Sequence, residues 1–400
     1  MERIQIPEKL KQARRALDSL SQVKILDDWK FDNELKIWFL HLGISIKYET
    51  SYFPQLSQWY VIAEDEYPKG KIKLYPDVEN SINVTLYHQS NNSKLEKNGL
   101  WRKGALCLER NTISGFREEP YSVDERLLYH VSRSIIWLES AAQNKLVLDN
   151  ELFELPDFSL AYVSEIQFAF SENCVTYMQW QSTNSRYGIA ELDVYKSKPF
   201  VYYVKYFKSL NGDIEHRTQW GNFLSKTNIS TPIKAPWILL KYPPVINEWQ
   251  APETLSELID ACNNQHIDIM NVLEKVVPKI RDGKHHLLLL GFPIPRVFGG
   301  ETESIFWMAM YLPVVSYGEK TANGFRTNHK GWWFRDKREV LTRKMKLEWL
   351  ISENWNQQEI SQRGKLNDLL LRKKVLLLGA GCIGASVAEI LVRAGVYDLT

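Results

Sequence analysis

Two sets of residues have types and spacings that chemistry can use. Gly379, Gly381 and Gly384 stand at Gly-x-Gly-x-x-Gly spacing. The apolar run Val375 to Leu378 precedes them, and Val387, Ile390, Leu391 and Ala394 follow with helical periodicity before Gly395. A buried strand, a glycine turn and a helix in this order cradle phosphate, because bare backbone N–H groups and the helix N-terminus face the anion. The second set is Cys107 in Trp101-Arg-Lys-Gly-Ala-Leu-Cys107-Leu, with His88 upstream. A loop thiolate can accept an acyl group and yield it to an amine, and Gly104 permits close approach. A free Cys is also commonly a buried structural residue. His88 can orient groups near Cys107, or it can serve only as a structural turn residue.

Other candidates read as structure. Cys382, inside the glycine turn, is expected to pack. His285-His286 has no third ligand at metal spacing, so it reads as the entry to a strand and no metal site is expected. Trp332 and Trp333 read as core residues.

Composition narrows the classes. The 400 residues suggest two or three domains, and 44% hydrophobic with 12% aromatic content is that of a globular protein. Fourteen Trp imply well-filled cores or partner surfaces. A net charge of +2 provides no field to draw nucleic acid. The four Cys (107, 174, 262 and 382) form no C-x-x-C pair, which fits a reducing cytoplasm and excludes a disulfide framework. No apolar run approaches the roughly 18 residues of a membrane span, and the polar start shows no secretory apolar core.

Positioning these residues takes several elements. Pro7 to Leu20 predicts an amphipathic helix with Leu10, Ala13, Ala16, Leu17 and Leu20 on one face. Strand-like runs follow at Glu34 to Ile46, Gln58 to Ala63, Lys71 to Tyr75 and Ile82 to Tyr87. Ser122 and Glu125 read as a capping box opening a helix over Val123 to Gln143. Further on, Tyr162 to Phe207 alternates as strands do, and Asn211-Gly212 predicts a hairpin turn. Pro252-Glu-Thr-Leu opens a helix, Ile267 to Ile280 reads as another, and Leu287 to Leu290 as a buried strand.

From Lys373 the terminal stretch, with the approach Gln362-Arg-Gly-Lys-Leu, resembles the nucleotide-binding start of the ThiF/MoeB and ubiquitin-activating adenylyltransferases. Residues 7 to about 150 resemble the ubiquitin-conjugating enzymes. The ordered matches are Tyr67-Pro68, Tyr75-Pro76-Asp77-Val78, His88, Gly104-Ala-Leu-Cys107-Leu108, Phe116 with Pro120, and Leu127-Leu128. One departure stands out: His88 is followed by Gln89-Ser90, where the family has Pro-Asn. The family's oxyanion-stabilising Asn therefore has no clear match, and Asn91, Asn92 or His88 itself remain candidates.

The resemblances imply an α+β conjugating-enzyme-like N-terminal domain over 1–157 and a mixed α/β linking domain over 158–350. After these, 351–400 would begin a Rossmann-like α/β adenylation domain truncated at the C-terminus. They imply ATP and Mg²⁺ as cofactors, with Gly379, Gly381 and Gly384 at the phosphates. Cys107 would be the thioester carrier, and the adenylating residues and a second Cys would lie past Thr400. Such fusions are similar to those of CBASS-type antiviral operons. There the activated C-terminus belongs to a cyclic-nucleotide synthase, the acceptor is an amine, and the enzyme is a homodimer through the adenylation domain. Two other classes stay open: a nicotinamide-dependent Rossmann oxidoreductase, and a non-catalytic conjugating-fold binding module.

Overall fold

The structure is a computed structural model that describes residues 5–400 except 49, 51, 53, 109–118, 150, 159–165, 196–197, 221–232, 322, 357–358, 360–372 and 397. Phe116, the first residues of the Tyr162 run and most of the approach to Lys373 lie outside the described residues. The chain divides into two compact units. One comprises residues 1–159 with 245–252 and 297–299, and the other comprises 160–244, 253–296 and 300–400.

In the first unit, helix α1 (Glu8–Ala16) runs into a 3₁₀ turn at Leu17–Ser19. Strands β1 (Val23–Asp32), β2 (Ile37–Ser45), β3 (Leu56–Glu64) and β4 (Ile72–Pro76) form an antiparallel meander in that order. Helix α2 (Val123–Ala142) follows. Period-two alternation gives the sheet two apolar faces. Leu40, Leu42, Ile44, Trp59 and Val61 face Leu10, Ala13, Leu17, Leu127, Val131 and Leu138 of the helices. Tyr60 and Ile62 form a second cluster with Trp101. Burying a side chain of the size of Leu or Val stabilises by about 1.5–3 kcal/mol, so both layers weigh in the stability of the unit.

Three expectations fail here. Strand β1 was not expected, because Lys24, Asp27, Asp28 and Lys30 break its alternation; irregular register between Ile25 and Lys30 accommodates them. Ile82 to Tyr87 is not a strand, and its one bridge pairs Thr85 with Glu248. The Ser122 hydroxyl donates to Glu125 Oε2 at 2.6 Å instead of capping the backbone of α2.

The second unit is built on an eight-stranded mixed sheet. Its strands are β5 (Ile166–Phe170), β6 (Tyr187–Tyr195), β7 (Phe200–Lys208), β8 (Ile214–Arg217), β9 (Ile233–Leu239), β10 (His286–Pro295), β11 (Thr302–Leu312) and β12 (Ser352–Asn354). The order is β11-β10-β9-β6-β7-β5-β12, with β8 on β7. The unit also carries helices α3 (Cys174–Ser182), α4 (Leu255–Asn263), α5 (Ile269–Val276) and α6 (His329–Arg335), of which α3 packs on β11 and α5 on β6. The Asn211-Gly212 turn joins β7 to β8, with the Gly212 N–H donating to Ser209 O at 3.1 Å. Thr254 and Glu257 form a reciprocal capping box on α4. Helix α3 interrupts what the aromatic–polar alternation suggested was all strand; Asn173 and Thr176 cap it reciprocally. Trp180, Trp237, Trp307 and Phe207 fill the core, the last two stacked at 4.4 Å. His286 is buried, its ring nitrogens 2.6 Å from Lys234 O and 2.8 Å from Asp282 Oδ1, which is a strand-entry role. Among the described residues no helix is long and apolar enough to cross a membrane.

The chain ends in helix α7 (Cys382–Arg393) between two parallel extended segments. The N–H of Leu377 donates to Thr400 O at 2.7 Å, and that of Thr400 to Val375 O at 2.9 Å. The run Val375 to Leu378, expected to be buried, exposes Leu376 and Leu378 at 68% and 87%. Alternation turns these side chains to a face that no described residue covers.

Candidate active site

Cys107 is exposed and lies on a loop that is sewn to the His88 loop. Its backbone N–H donates to His88 O at 2.8 Å, and the Ser90 N–H donates to Ala105 O at 3.0 Å. The Gln89 amide spans both loops, accepting from the Leu86 N–H at 3.0 Å and donating to Gly104 O at 3.1 Å. A further bond, Leu106 N–H to Leu74 O at 3.1 Å, ties the Cys loop to β4. Gly104 is demanded by space. A Cβ there would sit 2.7 Å from Cγ of the fully buried Asn92.

The three oxyanion candidates separate. The Asn92 amide donates to Ile82 O at 3.0 Å and Val84 O at 2.9 Å, so it is a brace for the loop. Asn91 is buried, and its side-chain oxygen accepts from the Ser93 N–H at 2.8 Å. His88 has a left-handed backbone, φ 55°, and a half-buried ring. Its Nδ1 lies 3.1 Å from Glu154 Oε2, and its Nε2 lies 3.9 Å from Glu151 Oε2. The Glu154 hydrogen bond, with the charges of both carboxylates, raises the His88 pKa against the opposing effect of burial. An imidazolium beside the Cys107 loop is therefore favoured. Neither glutamate was singled out from the sequence, and no local motif marks them. They reach His88 from the stretch after α2.

Cover for this loop comes from far along the chain. Tyr87 packs on Trp249 at 4.3 Å and edge-on to Phe298 at 5.1 Å, and Phe153 meets the same two rings. The Trp249 N–H donates to Thr85 O at 2.9 Å.

The glycine turn forms a separate site. Gly379 has φ +95°, which favours glycine. A Cβ on Gly384 would clash with Gly379 O and lie 2.9 Å from its carbonyl carbon, whereas one on Gly381 meets nothing. The first and third glycines thus shape the turn, and the second leaves its surface open. The Ala385 N–H donates to Gly381 O at 2.8 Å, the first bond of α7. The N–H groups of the first turn have no partner within the helix and suit a phosphate. This turn fits the phosphates of a nucleotide. Cys382 is exposed at its rim and not packed. Of the other Cys, Cys174 is exposed and Cys262 is buried, its thiol pushed up to about 12 by desolvation. Among the described residues no group of three or more His, Cys, Asp or Glu could hold a metal ion.

A family model described as the Cap2 central linker domain matches residues 144–355. That is more than half of the chain, and the chain belongs to this family. It is also similar to the ATP-dependent ubiquitin transferase-like protein Cap2 of Enterobacter hormaechei subsp. hoffmannii (strain UCI 50). The two are 28% identical over 404 aligned positions, which cover 98% of this chain. The chain spans 66% of the length of that relative.

Proposed function

We propose that the chain is part of a ubiquitin-like conjugation enzyme in which Cys107 carries an activated protein C-terminus as a thioester. The observation that carries this reading is an exposed thiol on a loop whose backbone is bonded to that of His88, a residue whose imidazole charge two carboxylates support. The name of the Cap2 relative and its alignment along nearly the whole chain support the same class. In this reading residues 1–157 act as the α+β conjugating domain, and the segment from 351 opens a Rossmann-like adenylation domain. The turn of Gly379, Gly381 and Gly384 would hold the phosphates of ATP, and Mg²⁺ would enter with the nucleotide as their counter-ion.

The chemistry balances as acyl transfer. A protein carboxylate attacks the α-phosphorus of ATP, forming the acyl adenylate and releasing pyrophosphate. A thiol of the activating part displaces AMP. The Cys107 thiolate then attacks that thioester carbonyl and expels the first thiolate. An acceptor amine, having lost a proton, attacks in turn; the amide forms and Cys107 leaves as thiolate. His88 acts as the cationic neighbour of the loop. The substrate is a protein tail, in a CBASS-type setting that of a cyclic-nucleotide synthase, and the enzyme works as a cytoplasmic homodimer.

The test uses full-length protein, ATP and the protein substrate. A thiol-cleavable adduct should form on the N-terminal part and vanish in Cys107→Ala, while adenylate formation persists. Cys107→Ser should give a thiol-resistant adduct or no turnover. Normal ligation by Cys107→Ala would reassign the N-terminal domain as a binding module.

A further inference from the structure

A pocket of about 510 Å³ opens in the second unit, away from the glycine turn. Its walls include Tyr177 and Trp180 of α3, Tyr187 of β6, Ile238 and Leu239 of β9, and Val272 of α5. The walls are fixed before anything binds. The Trp180 indole donates to Glu172 Oε1 at 2.9 Å, the Leu239 N–H donates to Arg186 O at 2.7 Å, and the Lys241 N–H donates to Gln265 Oε1 at 2.9 Å. Pre-formed, mostly apolar cavities of a few hundred Å³ are the usual form of ligand sites.

Charge at the mouth narrows the ligand. Arg186 and Lys241 both line the pocket, both are exposed, and no acidic residue lines it. Neither cation has an ion-pair partner among the described residues. They leave from adjacent strand ends, because Tyr187 pairs with Ile238 across β6 and β9. The pocket therefore presents an apolar, aromatic-walled interior with positive charge gathered at one lip.

We propose that this pocket docks an acidic segment of a partner protein through one bulky apolar side chain flanked by carboxylates. An aromatic ring is the best anchor, since the partly exposed rings of Tyr177 and Tyr187 line the pocket. The carboxylates pair with Arg186 and Lys241 at the lip, where they remain hydrated and little desolvation is required. A protein segment fits better than a fatty acid. The space is broad and open to solvent, so it suits a side chain entering from a chain that crosses the mouth. This inference stands apart from the chemistry of Cys107.

Fluorescence anisotropy with a labelled peptide carrying one Phe between Asp residues tests it, using the intact chain. The peptide should bind, and its Phe→Ala and Asp→Lys versions should each bind at least about tenfold more weakly, one decade being 1.4 kcal/mol. Arg186→Glu with Lys241→Glu, at exposed positions, should give a comparable loss, and raised salt should weaken the unmodified pair. Val272→Trp fills the pocket and should abolish binding; the charge variant decides the matter if that protein does not fold. Peptide binding indifferent to both the charge and the filling variants would overturn the proposal. So would failure of the peptide to bind, and dodecanoate bound at the pocket in its place would assign the site to a lipid anion.

Discussion

Glu172 offers the sharpest test of the second unit's core. Its carboxylate is buried and accepts from the indole N–H groups of Trp180 and Trp307, each at 2.9 Å, and it also bonds to the Thr176 hydroxyl. Burial pushes its pKa from the ordinary 4.5 up to about 7, against the three hydrogen bonds, which act to lower it. The unfolded chain then releases this proton near pH 4.5 and the folded chain only near 7. The folded state is favoured in full below the lower value, and that advantage is lost as pH rises to about 7. At about 1.4 kcal/mol per pH unit of separation, the loss is about 3 kcal/mol at pH 8. Glu172→Gln removes the ionisation. Its amide oxygen can still accept from both indoles, while its NH₂ must share the Thr176 hydroxyl, which already accepts from the Asn173 N–H and donates to Asn173 O. Allowing about 1 kcal/mol for that mismatch, the variant should be about 2 kcal/mol more stable than the parent at pH 8 and no more stable at pH 4.5. Thermal unfolding followed by Trp fluorescence would show a midpoint about 4–8 °C higher at pH 8. A difference that is independent of pH, or a Gln variant that is weaker at pH 8, would refute the claim that Glu172 is held protonated by burial.

Three further outcomes follow from the sites. Gly104→Ala should cost about 1–3 kcal/mol in urea unfolding of the first unit, since its Cβ meets the buried Asn92 side chain. The His88 imidazole should titrate above 6.5 by NMR, and Glu154→Gln should lower that value by removing the leading cause of the shift. Because that pKa is raised, the stabilisation from the pair is complete below pH 6.5 and fades as pH passes the folded value. Gly384→Ala should abolish ATP binding by calorimetry in the full-length protein while leaving the first unit's unfolding midpoint unchanged, because its Cβ collides with Gly379.

What the sequence shows of this structure follows the range of the interactions. The glycine turn is legible because each requirement falls on a residue type within six positions, and Gly379 and Gly384 have no substitute there. Helix α4 is equally local, its start written in Thr254 and Glu257. Helix α3 carried the same signal in Asn173 and Thr176, but the alternating aromatics around it masked the cap. Strand β1 was hidden because a bulged edge strand need not alternate cleanly. Glu172 was beyond reach, since Trp307, the donor that helps fix its carboxylate, lies 135 residues away.

The Cys107 loop shows the same limit on the functional side. The thiol, Gly104 and His88 are local and readable. What holds His88 at φ 55° with its carbonyl on the Cys107 N–H is not local. Glu151 and Glu154 fix its ring, and Asp157 accepts the Asn91 N–H at 3.2 Å. Trp249 and Phe298 cover the neighbouring Tyr87 from residues 245–252 and 297–299, which belong to the first unit although they lie far along the chain. A piece cut at residue 157 keeps every residue of the expected conjugating motif and loses both rings that press on the loop. A left-handed non-glycine residue persists where its surroundings over-determine it. The Cys107 site is therefore assembled from the motif and from these later segments together, and its geometry depends on residues that no motif would include.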